Sequence, residues 1–150
     1  MKMYGDYQNA AALMLPGVVT RDGFLGDDTR PLVDIIQVDE EAFGKLGLEW
    51  DVVAARLQYF REQADQGLGG AVAVDKLWLV RNIEARGNLP CPFGDKLLGK
   101  ATTVLTLQNS GEQITYSELS LHLLAEHHFL QGQGAPFRLE PVMLKKILFI

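Results

Sequence analysis

The sequence predicts an α+β domain, and three observations carry that expectation. Apolar residues recur at helical spacing between residues 32 and 64. Between 71 and 116 the pattern changes to two-residue alternation and β-branched runs, and from 117 onward helical spacing returns. Strands this close in sequence, joined by short turns, favour an antiparallel sheet. The detailed expectation is an N-terminal antiparallel helix pair, a small antiparallel sheet of three to four strands, and one long buried helix after the sheet.

The elements follow in order. Residues 1–30 hold the turn signals Pro16-Gly17, Asp22-Gly23 and Gly26-Asp27-Asp28, which predict an irregular segment. Thr29-Arg30-Pro31 then marks a helix start, because a proline in the first turn forfeits no internal hydrogen bond. Leu32, Ile35, Ile36, Phe43 and Leu46 share one face, and Gly44 and Gly47 close this helix. A second helix is expected from Trp50 to Gln66 on the stripe Trp50, Val53, Ala54, Leu57, Phe60 and Ala64. Only a short link joins the two, so they are expected to fold back on each other.

Val72 with Val74, then Leu77 to Ile83, read as strands. Gly87 to Gly94 reads as a loop around Pro90-Cys91-Pro92. Thr102 to Leu107 and Gln113 to Tyr116 read as a hairpin through Asn109-Ser110-Gly111-Glu112. Thr115 and Glu118 fit a capping box for a helix running to about Gln131, and Gly132 and Gly134 stop it. A short last helix begins at Pro141, with Leu148-Phe149-Ile150 as an alternative strand.

Length and composition narrow the function classes. The chain has 150 residues, the size of one domain spanning 1–150, with a 47% hydrophobic fraction that supports a real core. Net charge is −5, split as −7 over residues 1–75 and +2 over 76–150. An acidic chain without a basic stripe is a poor match for nucleic acid. No run of about 18 apolar residues is present, so no membrane-spanning helix is expected. The one cysteine, Cys91, cannot form an internal disulfide, which fits a reducing, cytoplasmic setting. No cofactor fingerprint and no dedicated metal-ligand motif stands out, so neither a cofactor nor metal ligands are assigned.

The reactive side chains are few. Cys91, held stiffly between two prolines, is the only thiol. His122, His127 and His128 lie on the helix that follows the sheet. At about 100° per residue, His122 and His127 point about 140° apart, so the helix is not expected to offer two histidines to one metal. His127 is expected to be exposed, with His122 and His128 partly buried. Glu126 shares a face with His122 at i and i+4 and is the expected orienter of its ring. Cys91, His122 and Glu126 therefore form a candidate catalytic set of nucleophile, base and orienter. Gly132 and Gly134 with Arg138 form a candidate anion site, from exposed backbone N–H groups and a forked guanidinium. The loop Asp22 to Asp28 lacks the alternating carboxylates of a calcium loop.

The segments Glu84-Ala85-Arg86-Gly87-Asn88-Leu89-Pro90-Cys91-Pro92-Phe93-Gly94 and His122 to Pro141 resemble those of a family of small bacterial proteins described as uncharacterised cytosolic proteins. The region from Pro16 to Gly70 is similar as well. The resemblance implies a bacterial cytosolic setting and brings no catalytic residues with it.

Three functions follow as expectations. The leading one is a non-catalytic cytosolic binding or interaction module, a homo-oligomer with Trp78, Phe129 and Phe137 available for an interface. The alternatives are a thiol-dependent enzyme using Cys91, His122 and Glu126, and a zinc-binding protein using Cys91 with histidines. The distance between Cys91 and the histidines discriminates among them.

Overall fold

The computed structural model describes residues 4–150 and has an α+β architecture. Its helices are α1 (Tyr4–Leu13), α2 (Leu32–Leu46), α3 (Trp50–Asp65), α4 (Glu118–His127) and α5 (Pro141–Leu148). Its strands are β1 (Val72–Val74), β2 (Trp78–Ile83), β3 (Asn88–Pro90), β4 (Leu97–Gly99), β5 (Thr102–Leu107) and β6 (Gln113–Ser117). The main sheet has four antiparallel strands in the order β1-β2-β5-β6, and β3 pairs with β4 as a separate hairpin. Among the described residues no helix is long and apolar enough to cross a membrane.

The sheet presents one face to a helical layer. In β2 the side chains alternate buried and exposed from Trp78 to Ile83, as a half-buried strand must. Val80 and Leu105, neighbours in register, are fully buried against Leu57 and Phe60 of α3. Several buried polar side chains inside this layer are paired. Tyr116 donates to the Leu57 carbonyl at 2.6 Å, and Trp78 donates through Nε1 to the Ile147 carbonyl at 2.8 Å. Asn82 donates to Asp65 at 2.6 Å while accepting from Thr103 at 2.7 Å, which ties β2 and β5 to α3. Buried polar groups left without such partners would each cost about 1–3 kcal/mol.

A second apolar cluster lies apart from the first. It gathers Ala10 and Met14, Phe24, then Leu32, Ile35 and Ile36 of α2, with Cys91, Leu119, Leu123 and Phe129. Helix α4 belongs to both clusters, because Leu121 and Leu124 face the sheet core while Leu119 and Leu123 face the second one. That double burial explains why the helix is apolar on most sides.

Several expectations need correction. Residues 4–13 are helical, not irregular: Ala10 and Met14 pack into the second core, which gives this short segment the tertiary support a lone helix lacks. Helices α2 and α3 do not form an antiparallel pair. Helix α2 packs on α1 and α5, whereas α3 packs on the sheet and α4, because their apolar stripes serve mainly different cores. Helix α4 ends at His127, four residues early, where His128 takes a left-handed conformation at φ 53°. Its cap is Ser117 with Ser120, not Thr115 with Glu118, since Thr115 is held in β6 opposite Val104. The segment read as a loop from Gly87 to Gly94 contains β3. The last element is a helix, as first expected.

The aromatic residues offered for an interface lie largely inside. Trp78 and Phe129 are core residues, and Phe137 is half-buried.

Candidate metal centre

The β3–β4 hairpin carries a six-residue loop from Cys91 to Lys96. The Cys91 N–H donates to the Lys96 carbonyl at 2.8 Å, and the Gly94 N–H donates to the Cys91 carbonyl at 2.8 Å. Gly94 has φ 80°, the left-handed conformation that lets the chain reverse within so few residues. This reversal brings the Asp95 carboxylate back beside the Cys91 thiol, within 4.8 Å of the sulfur. Pro92 is buried beneath the turn.

Helix α4 supplies the other wall. His122 Nε2 lies 3.0 Å from Asp95 Oδ1 and 3.2 Å from Oδ2. His127 Nε2 lies 2.8 Å from Asp95 Oδ2. The two rings are 5.3 Å apart between centroids and meet edge to face. His127 ends the helix, and its ring stacks on Phe93 at 4.0 Å, inclined by 11°. Phe93 belongs to the Cys91 loop, so this stack holds loop and helix together and turns the His127 imidazole toward Asp95.

Four side chains therefore converge. One ligand-type atom from each of Cys91, Asp95, His122 and His127 lies within 4.8 Å of every other. Cys91 is 1% exposed, and the side chains of His122 and His127 are 8% and 5% exposed, so only Asp95, at 40%, meets solvent freely. Burial and the adjacent Asp95 carboxylate push the Cys91 thiol up to about 12. Burial works against ionisation of Asp95 too. The hydrogen bonds from Cys91 and His122 and the nearby imidazoles outweigh it and hold that carboxyl well below the usual range.

This geometry corrects the reading of the helix. The expected divergence of His122 and His127 treats side chains as spokes fixed to the axis. Imidazoles at adjoining turns can lean together when a single acceptor sits above both, and Asp95 is that acceptor. His127 is buried rather than exposed. Asp95 itself went unremarked in the sequence. The signal was there in the spacing: Cys-x3-Asp followed by His-x4-His falls within the ligand separations of known zinc sites.

The other candidates are placed differently. Glu126 is exposed and makes no hydrogen bond to His122, whose carboxylate partner is Asp95. His128 faces away from the cluster, with Nδ1 2.7 Å from Glu40 and its ring stacked on Trp50 at 4.2 Å. Arg138 is already engaged. It donates to both Asp39 oxygens at 2.6 and 2.9 Å, to Glu140 at 3.0 Å and to the Gln131 carbonyl at 2.8 Å. Gly132 donates its N–H to Phe24, and a Cβ there would fall 2.2 Å from the Leu25 carbonyl oxygen. Its role is close packing of two loops, and the three residues present no open anion cradle.

Two clefts flank the cluster. One of about 480 Å³ is lined by His122, Arg61, Lys96 and Glu126, and one of about 510 Å³ by His127, His128, Glu40 and Tyr7. Cys91 lines neither.

No protein-family model, curated protein or solved structure matches this chain.

Proposed function

We propose that this protein binds one divalent transition-metal ion, zinc being the best match, through Cys91, Asp95, His122 and His127. The observation that carries the reading is the mutual approach of the four donor atoms to within 4.8 Å. Ligand atoms at the corners of a tetrahedral zinc site stand roughly 3.3–3.6 Å apart, given the usual metal–ligand bond lengths. A contraction of about an ångström in the widest pair completes the site. The donor set is chemically matched as well. A thiolate, two imidazoles and one carboxylate suit a borderline-soft ion and argue against calcium or magnesium, which prefer oxygen throughout.

Four protein ligands fill a tetrahedral shell, which is the arrangement of a structural ion rather than a catalytic one with an open position. The ion would join the β3–β4 hairpin to helix α4. This reading keeps the expectation of a non-catalytic binding module. It stands against a thiol nucleophile, because Cys91 is sealed from both clefts and sits beside a carboxylate. Activated cysteines need the reverse, an electropositive and accessible setting.

The test is metal content and its effect. Protein purified without chelator, then stripped and titrated with zinc, is expected to take up one equivalent and to melt at a higher temperature when loaded. Cobalt in place of zinc is expected to give a thiolate-to-metal charge-transfer band that Cys91→Ser abolishes. Stripped and zinc-treated samples with the same melting curve, and no stoichiometric uptake, would overturn the reading.

A further inference from the structure

We infer that a second cavity, lined by none of the four clustered residues, binds a small apolar monocarboxylate. The cavity holds about 260 Å³ and lies between the ends of β5 and β6, the hairpin strand β3, and the loops around residues 20–24 and 131–137. None of Cys91, Asp95, His122 and His127 lines it. Much of its lining is apolar. Phe24 and Leu119 are 3% and 2% exposed, and Leu89 and Phe137 close the sides.

Gln131 is the unusual member of the lining. It is 3% exposed, and its carboxamide has no hydrogen-bond partner among the described residues. Gln131 borders the cavity, where a bound group can take the place of water at its amide. Its backbone is held at φ 74°, a left-handed conformation uncommon for a residue other than glycine, asparagine or aspartate. Such conformations persist where the surroundings over-determine them, and they cluster at ligand sites. Here the Gln131 carbonyl is fixed by Arg138 and the next N–H by the Phe24 carbonyl.

The mouth supplies the charge. Lys100 and Arg21 both border the opening, and the one acid there, Asp22, pairs with Arg21 at 3.8 Å. That leaves the Lys100 ammonium as the surplus charge at the rim. An apolar body of about a dozen heavy atoms with one carboxylate fits the volume, the Gln131 amide and the cationic rim together. A cation or a polyanion fits less well, the first because of Lys100 and the second because of the apolar walls.

The test uses the intact chain and 4-phenylbutyrate as probe, with 4-phenylbutan-1-ol and 4-phenylbutylamine as neutral and cationic counterparts, followed by amide chemical shifts. The expected result is saturable shifts at Phe24, Leu119 and Gln131, with the acid binding about tenfold more tightly than the alcohol or the amine. Lys100→Met, an exposed substitution that spares the fold, is expected to erase that preference, and Gln131→Met to weaken all three probes. Ala85→Trp, at the exposed rim, is expected to block entry. Shifts that do not saturate, that map elsewhere, or that leave acid and amine equal would overturn the proposal. Zinc-free and zinc-loaded protein are expected to respond alike, so failure here is separable from failure of the metal reading.

Discussion

His127 Nε2 stands 2.8 Å from Asp95 Oδ2, across 32 residues of sequence. The pair joins the end of a helix to the tip of a hairpin that share no backbone ladder. Removing the carboxylate takes the acceptor from the imidazoles and from the Cys91 thiol at once. In metal-free buffer containing chelator, Asp95→Ala is expected to lose about 1–3 kcal/mol, the scale for buried donors left without partners. The urea midpoint measures it. An unchanged midpoint would mean that solvent replaces Asp95 at no cost.

Cys91 is expected to be inert in the folded protein. Its sulfur is closed off by the second core and by its carboxylate partner, so a thiol reagent must wait for the loop to open. Labelling with a chromogenic disulfide is expected to be slow in buffer and immediate in denaturant. Fast labelling of the native chain would restore the thiol-enzyme reading.

Arg138 and Asp39 form the most buried ion pair among the described residues, at 7% and 5% side-chain exposure. Breaking such a pair from one side strands a charge in the interior and typically costs about 3–5 kcal/mol. Arg138→Met is therefore expected to lower the melting temperature sharply. Adding Asp39→Leu is expected to recover much of the loss, because no charge is then left unpaired. A double variant no better than the single one would show that packing, not charge, dominates there.

Asp28 gives a pH dependence of definite sign. Hydrogen bonds from Arg30, foremost, and from the Gln133 N–H hold its carboxyl well below the ordinary value of 3.8. A carboxyl with a depressed folded-state pKa adds stability that is complete above its unfolded value and fades as pH falls through the folded one. Asp28→Asn is thus expected to destabilise the protein at pH 7, and the gap to the unaltered chain is expected to narrow steadily below about pH 4. Paired denaturation curves at pH 7 and at acid pH measure the narrowing. A gap independent of pH would refute the linkage.

The sequence was readable where a pattern ran long enough to average out local exceptions. The stripes of α2 and α3 cover four turns each, and β5 and β6 alternate over five or six residues, so both were placed to within a residue or two. The β3–β4 hairpin was not, because three-residue strands beside prolines carry almost no periodicity. Helix α1 was hidden by the turn residues that follow it, and its stability comes from a core assembled by distant residues. Cys91, His122 and His127 were all singled out, yet the residue that unites them was missed. Asp95 sits in an exposed turn where an acid is ordinary, and only the reversal at Gly94 brings it onto the thiol.

The two neighbouring rings at the end of α4 are clamped from opposite sides, His127 on Phe93 and His128 on Trp50, which itself stacks on Phe43 at 3.7 Å. The His128 side also carries the Glu40 contact, so this terminus is fastened to α2 and α3 independently of the hairpin. The helix is thus the fixed jaw of a vice, and Asp95, at the exposed tip of the Cys91–Lys96 turn, is the movable one. Cys91 and Phe93 are packed into the second core, so an adjustment that draws the four side chains together falls first on Asp95.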